Sequence, residues 1–184
     1  MNLTTNGAAL IVGGSSGMGL ETARLLVQNQ VPVVLIGRDA AKLDGAVADL
    51  RTARSDADIT VLTADLASDT GVRSVVDFVQ ATKLRMAYLV NAVGYFSPKP
   101  FLEHTDADYE IYMGLNRAIF KISQAVAAHM KQHGGGSIVN IGSMWARQAV
   151  KATPSSAYSM AKAGLHALPQ HMAMELADDG IRVT

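Results

Sequence analysis

The chain has 184 residues and a mass of 19.4 kDa, enough for one domain with a substantial core. Hydrophobic residues make up 49% and charged residues 17%, which excludes a mainly disordered chain. Sixteen basic residues balance sixteen acidic ones with no run of either sign, which removes the basic footprint of a nucleic-acid partner, and the lack of cysteine removes disulfides and thiolate chemistry.

In chain order, short apolar runs alternate with longer stretches of helical period, a pattern that predicts an α/β fold with a doubly wound parallel sheet. The first strand is expected over Ala8 to Val12. The first Lys or Arg is Arg24, and this apolar run is too short for a signal core or a membrane span, so a soluble, cytoplasmic protein with no membrane partner is expected. A glycine-rich turn follows, Gly13, Gly14, Ser15, Ser16, Gly17, Met18, Gly19, and then a helix spaced by Leu20, Ala23 and Val27. Glycines at a strand-to-helix junction permit a tight turn and bring backbone N–H groups close to a pyrophosphate, at the positive end of the helix dipole. The predicted contacts to a dinucleotide here are Gly13, Ser15, Ser16, Gly17, Met18 and Gly19.

The second strand, Val31 to Ile36, runs into Gly37, Arg38 and Asp39. An acid at the end of this strand would hydrogen-bond a free ribose 2′-hydroxyl, whereas an arginine pairs with a 2′-phosphate. Arg38 therefore points to NADP, with NAD the lesser alternative; the competing reading makes Arg38 a solvated loop cation while Asp39 caps the next helix. Further strands are expected over Ile59 to Thr63 and Met86 to Asn91. A long buried helical stripe then runs through Leu115, Ile119, Ile122, Val126 and Met130 and stops at Gly134, Gly135 and Gly136. Tyr95 and Lys99 lie four apart, but Gly94 before them and Pro98 between them place that stretch in a loop. His129 and His133 share a spacing that two metal ligands use; with no acid to help them and Gly134 next, they are assigned to a helix end, and no metal is expected.

The strand Ser137 to Ile141 delivers Ser143 to its carboxyl end, where ligands bind in open parallel sheets. Tyr158 and Lys162 follow four residues apart at the start of a helix, hence on one face. A phenol beside an ammonium that favours its anion can exchange a proton with a substrate oxygen, and a serine hydroxyl can hold that oxygen. Pro169 sits inside the same helix, where it removes the bond to the Leu165 carbonyl and costs about 3 kcal/mol or forces a kink. A last strand opens at Ile181 and the sequence stops within it.

Together these residues closely resemble the short-chain dehydrogenase/reductase family from residue 8 onward, which implies a Rossmann-type sheet and a single dinucleotide-binding catalytic domain over 1–184, incomplete at its C-terminus. Gly13, Gly17 and Gly19 are similar to the family's cofactor loop, Asp65 with Leu66 to its adenine contact, and Asn91, Ala92, Val93, Gly94 to its motif beside the cofactor. Asn116 falls where the family has a structural and proton-relay asparagine, and Ser143, Tyr158 and Lys162 match its remaining catalytic positions. The resemblance implies hydride transfer between NADP(H) and a carbonyl or alcohol of a small-molecule substrate. In that scheme Ser143 orients the oxygen, Tyr158 exchanges its proton, and Lys162 acts on Tyr158 and on the nicotinamide ribose. It also implies a homodimer or homotetramer associating through the two long helices, about Leu115 to Met130 and Tyr158 to Ala177. Trp145 and Arg147, in the stretch Met144 to Ala157, line the substrate mouth or belong to a surface loop. A dinucleotide-sensing binding protein without turnover is the alternative on the same fold, and a sugar-nucleotide epimerase or dehydratase ranks below it.

Overall fold

The computed structural model describes residues 3–184. Six strands alternate with five helices: β1 Ala8–Val12, α1 Gly17–Gln28, β2 Val33–Gly37, α2 Ala40–Ala53, β3 Ile59–Thr63, α3 Asp69–Ala81, β4 Met86–Asn91, α4 Asp106–Gln132, β5 Gly136–Asn140, α5 Ser156–Glu175 and β6 Ile181–Val183. Single 3-10 turns lie at Phe101–Glu103, Met144–Ala146 and Ala177–Asp179. All strands pair parallel in the order β3-β2-β1-β4-β5-β6. The chain winds outward one way from β1 to β3 and the other way from β4 to β6, so the β1/β4 boundary is the topological switch point, where such sheets open a crevice at their carboxyl ends.

Every residue of β1 is buried because helices cover both faces of the sheet. Ala8, Leu10 and Val12 face Val72, Val75 and Val79 of α3 and Ala118, Ile122, Val126 and Met130 of α4. Ala9 and Ile11 face Ala23, Leu26 and Val27 of α1 and Leu43, Ala46 and Leu50 of α2. The alternating side-chain directions of a strand thus feed two separate helix layers from one apolar run. α5 joins the α3/α4 side through Met172 and Ala173. No helix among the described residues is long and apolar enough to cross a membrane.

Local chemistry sets the element ends. Asp39 caps α2 by accepting from Lys42 N at 3.1 Å, and Thr105 with Asp108 forms a capping box at the start of α4. Two expected strands shift at both ends, to Val33–Gly37 and Gly136–Asn140. β2 starts at Val33, not Val31, because the Val31 N–H closes the end of α1 on the Leu26 carbonyl and Pro32 has no N–H to give a ladder. β5 is Gly136–Asn140, one residue earlier than expected, so the glycine stop comprises Gly134 and Gly135, at φ +84° and +83°, while Gly136 opens the strand. Pro169 neither ends nor interrupts α5, which remains helical to Glu175.

Because proline at 169 denies the Leu165 carbonyl its helical partner, Pro169→Ala should stabilise the protein by up to about 3 kcal/mol, read as a rise in the midpoint of thermal unfolding.

Candidate active site

At the crevice the glycine turn is built by close backbone approach. Gly13 and Gly14 N–H groups donate to the Ile36 carbonyl, and Gly13, at φ +86°, lies against the backbone of Val93 so tightly that a side chain there would collide with it. A Cβ on Gly19 would likewise strike the Gly13 carbonyl. Gly17, at φ +53°, has open space where a side chain would stand. Ser16 is the N-cap of α1 but makes no side-chain cap, so the first N–H groups of the helix lack that partner. With Ser15 half-buried and Ser16, Gly17 and Met18 exposed, this donor set and its open front fit the oxygens of a dinucleotide pyrophosphate. Gly37 packs against Ser15, which sets Arg38, exposed, one residue from the turn. Asp39 is committed to its cap.

Residues 92–100 leave β4 without regular structure and pass beside the turn, with Ala92 N donating to the Val12 carbonyl at 2.8 Å. Gly94 is exposed and unobstructed. The segment is anchored farther on: Ser97 N and Tyr112 Oη are 3.1 Å apart, and Lys99 pairs with Asp108 at 2.6 Å. That ammonium, together with Thr105, holds the Asp108 carboxyl well below the usual carboxylate range. The Tyr95–Lys99 spacing is therefore part of a loop, as Gly94 and Pro98 require.

A cleft between this segment, α4 and α5 is lined by Gly94, Tyr95, Tyr112, Asn116, Tyr158 and Lys162, among others. The Tyr158 ring is held edge-on by Phe96 and Tyr112, with centroids 4.8 and 5.9 Å away, and the Lys162 Nζ lies 5.9 Å from its centroid. Lys162 is only 7% exposed and donates to the Ile141 carbonyl at 2.8 Å. Burial pushes its ammonium below the ordinary lysine range. Asn116 Nδ2 donates to the Ala161 carbonyl at 2.8 Å, tying α4 to the turn of α5 between Tyr158 and Lys162. Ser143 lies on the segment running along the same helix: its N–H donates to His166 Nε2 at 3.3 Å, and its Oγ accepts from Trp145 N at 3.3 Å, which leaves the hydroxyl proton free to give. Tyr158, Lys162 and His166 recur every four residues on one face of α5. His166 was not among the sequence-derived candidates, since a lone histidine on a helix carries no signal until its partner is known.

Other expected contacts divide by burial. Asp65 is exposed beyond β3 and turns the chain by accepting from Ala67 N, whereas the Leu66 side chain belongs to the core with Val72. Asn91 is 2% exposed and its Nδ2 is spent on Ser123 Oγ at 3.0 Å and Asn140 Oδ1 at 2.9 Å. Its carbonyl accepts from Ile141 N. The Asn91 amide nitrogen thus joins the ends of β4 and β5 to α4, while its Oδ1 is buried with no partner among the described residues. Trp145 and Arg147 line an open groove with Phe101, Ser155 and Ser159. His129 and His133 stack at 4.1 Å at the end of α4, where His129 Nε2 accepts from Met86 N.

The family model described as short chain dehydrogenase matches residues 7–184. Galactitol 2-dehydrogenase (L-tagatose-forming) of Cereibacter sphaeroides is 32% identical over 179 residues, covering 95% of this chain and 67% of that protein. The bulky-bulky ketone specific alcohol dehydrogenase from Comamonas testosteroni superposes with a TM-score of 0.90 at 30% identity, over 98% of this chain and 72% of that one. L-sorbose reductase from Gluconobacter frateurii, solved with NADPH and L-sorbose, gives a TM-score of 0.89 at 28% identity over 97% and 67% of the two chains.

The buried Lys162 sets a pH signature. With its folded pKa below the 10.5 of a free lysine, the unfolded chain binds more protons between the two values, so stability due to this residue rises with pH across that window. Denaturant unfolding should show the native protein gaining on Lys162→Met as pH climbs toward 10.5, with the difference level at lower pH.

Proposed function

The chain belongs to the short-chain dehydrogenase family of oxidoreductases, and on that premise we propose that it transfers a hydride between NADP(H) and the carbonyl or alcohol carbon of a small-molecule substrate. The observation that carries the reading is the shared cleft of Tyr158, Lys162, Asn116 and Gly94, next to a glycine turn that fits a pyrophosphate. When bound, a nicotinamide dinucleotide supplies the hydride that reduces the carbonyl carbon. The rest falls to this chain. Gly13, Ser15, Ser16, Gly17, Met18 and Gly19 would hold the phosphates, with Gly94 and Ala92 bordering the site and Asp65 at its adenine end. Ser143, its Oγ already accepting from Trp145, has a proton to donate to the substrate oxygen and so fixes its orientation.

Tyr158 gives its phenolic proton to that oxygen as the carbonyl becomes an alcohol, and takes a proton back from solvent before the next turnover; oxidation runs the same transfers in reverse. Lys162 stands as a cation one helical turn away, held in place by the Ile141 carbonyl, where it favours the phenolate left behind. Asn116 keeps the helical turn between the two residues fixed, and a proton relay to solvent past it belongs to the same proposal. The preference for NADP rests on Arg38, beside Gly37 and the turn, and is supported by the NADPH bound in L-sorbose reductase. Association as a homodimer or homotetramer through α4 and α5 is part of the reading, supported by the exposed apolar side chains of Phe120 and Met160 on those helices.

NADPH oxidation over a panel of aldehydes and ketones tests the activity. Tyr158→Phe should lower kcat by about 10²–10⁴-fold while leaving NADPH affinity in place, and equal turnover by native and variant protein would refute the role of the phenol. Arg38→Ala should weaken NADPH by roughly 10- to 100-fold and leave NADH nearly unchanged, as titrations of cofactor fluorescence will read; an equal loss for both cofactors would remove the 2′-phosphate contact.

A further inference from the structure

Where the chain leaves β5, it runs along the face of α5 that carries Tyr158, and it is held there at two points. Lys162 Nζ donates to the Ile141 carbonyl at 2.8 Å, and one helical turn later His166 Nε2 accepts the Ser143 N–H at 3.3 Å. The helix therefore gives a donor to one residue and an acceptor to the next but one. Between them stands Gly142, and a Cβ there would collide with the His166 imidazole, so the ring occupies the space that the missing side chain leaves. Acceptance at Nε2 places the neutral ring's proton on Nδ1.

Among the described residues, Ser143 has no second backbone anchor of this kind to an α-helix. It is the N-cap of the Met144–Ala146 turn, in extended conformation at φ −157° and ψ 147°, and its Oγ bonds only within that turn. The direction of its hydroxyl relative to Tyr158 thus depends on what holds its backbone against α5. We propose that His166 is a positioning residue: by accepting the Ser143 N–H into the gap left by Gly142, it aligns the Ser143 hydroxyl with Tyr158 on one substrate oxygen. This role rests on the oxidoreductase reading above, since it acts through Ser143.

His166→Phe keeps a ring of similar size and removes the acceptor, whereas His166→Gln returns an oxygen to the position of Nε2. In the first variant kcat for carbonyl reduction should fall about tenfold with KM and NADPH affinity held, and the Ser143 amide resonance should move upfield; the second should restore both. Gly142→Ala, which displaces the ring from the other side, should repeat the loss and covers the case in which His166→Phe fails to fold. Native kcat and an unmoved Ser143 amide in His166→Phe or, should that variant not fold, in Gly142→Ala would overturn the assignment, as would a glutamine variant no better than phenylalanine. Tyr158→Phe run in parallel separates the two claims. Turnover lost there but intact in His166→Phe discards His166 alone, while turnover equal to native in Tyr158→Phe discards the phenol and with it the role given to His166.

Discussion

A buried ammonium held by a single carbonyl is the constraint on which the catalytic region depends. Lys162 is removed from water at the cost of its own charged form, and its bond to Ile141 is one of two polar contacts that hold α5 against the exit of β5. That contact fixes the helical face on which Tyr158 lies. It also brings Ser143, two residues past Ile141, alongside the same helix. Asn116 makes the matching attachment from α4, so the turn between Tyr158 and Lys162 is gripped by two elements rather than one. A site assembled on helices and strand ends holds its side chains more closely than one built from loops.

The sheet supplies the other half of the arrangement. Reversal of winding between β1 and β4 leaves the carboxyl ends of two adjacent strands without a covering crossover, and both the glycine turn and residues 92–94 emerge there. Their backbones meet at Gly13 and Val93 with no room for a side chain between them. Close approach of this kind explains the glycine better than flexibility does. Farther along the same edge, the Asn91 amide links Ser123 on α4 to Asn140 on β5, and Asn140 in turn donates to the Thr184 carbonyl beyond β6. Three parallel strands are thereby tied at the end that faces the crevice, where ladder hydrogen bonds run out.

Exposure separates residues that can serve a ligand from those that serve the fold, even within one short motif. Asp65 is in solvent and Leu66, its neighbour, is in the core. Asn91 is buried, while Gly94, three residues on, is open. Gly37, Arg38 and Asp39 divide similarly: the glycine makes room for Ser15, the arginine projects into solvent, and the aspartate caps α2. The cap expected of Asp39 is therefore present, and Arg38 stands exposed beside it.

The amino-acid sequence by itself determined the alternation of strands and helices, because each apolar run carries the period of its own element, and four of the six strands begin where their apolar run begins. It determined the glycine turn and the Tyr158–Lys162 face as well, since both are local: a junction and a four-residue spacing need no partner from elsewhere in the chain. Boundaries at Val31 and Gly136 were decided by hydrogen bonds to the end of α1 and by the sheet register. Tertiary structure alone decided that Asn91 looks inward, that Leu66 is core, that α5 carries Pro169 without breaking, and that His166 meets Ser143 across the space left by Gly142. The Asn91, Leu66 and His166 contacts depend on residues distant in the chain approaching one another, which no periodicity encodes.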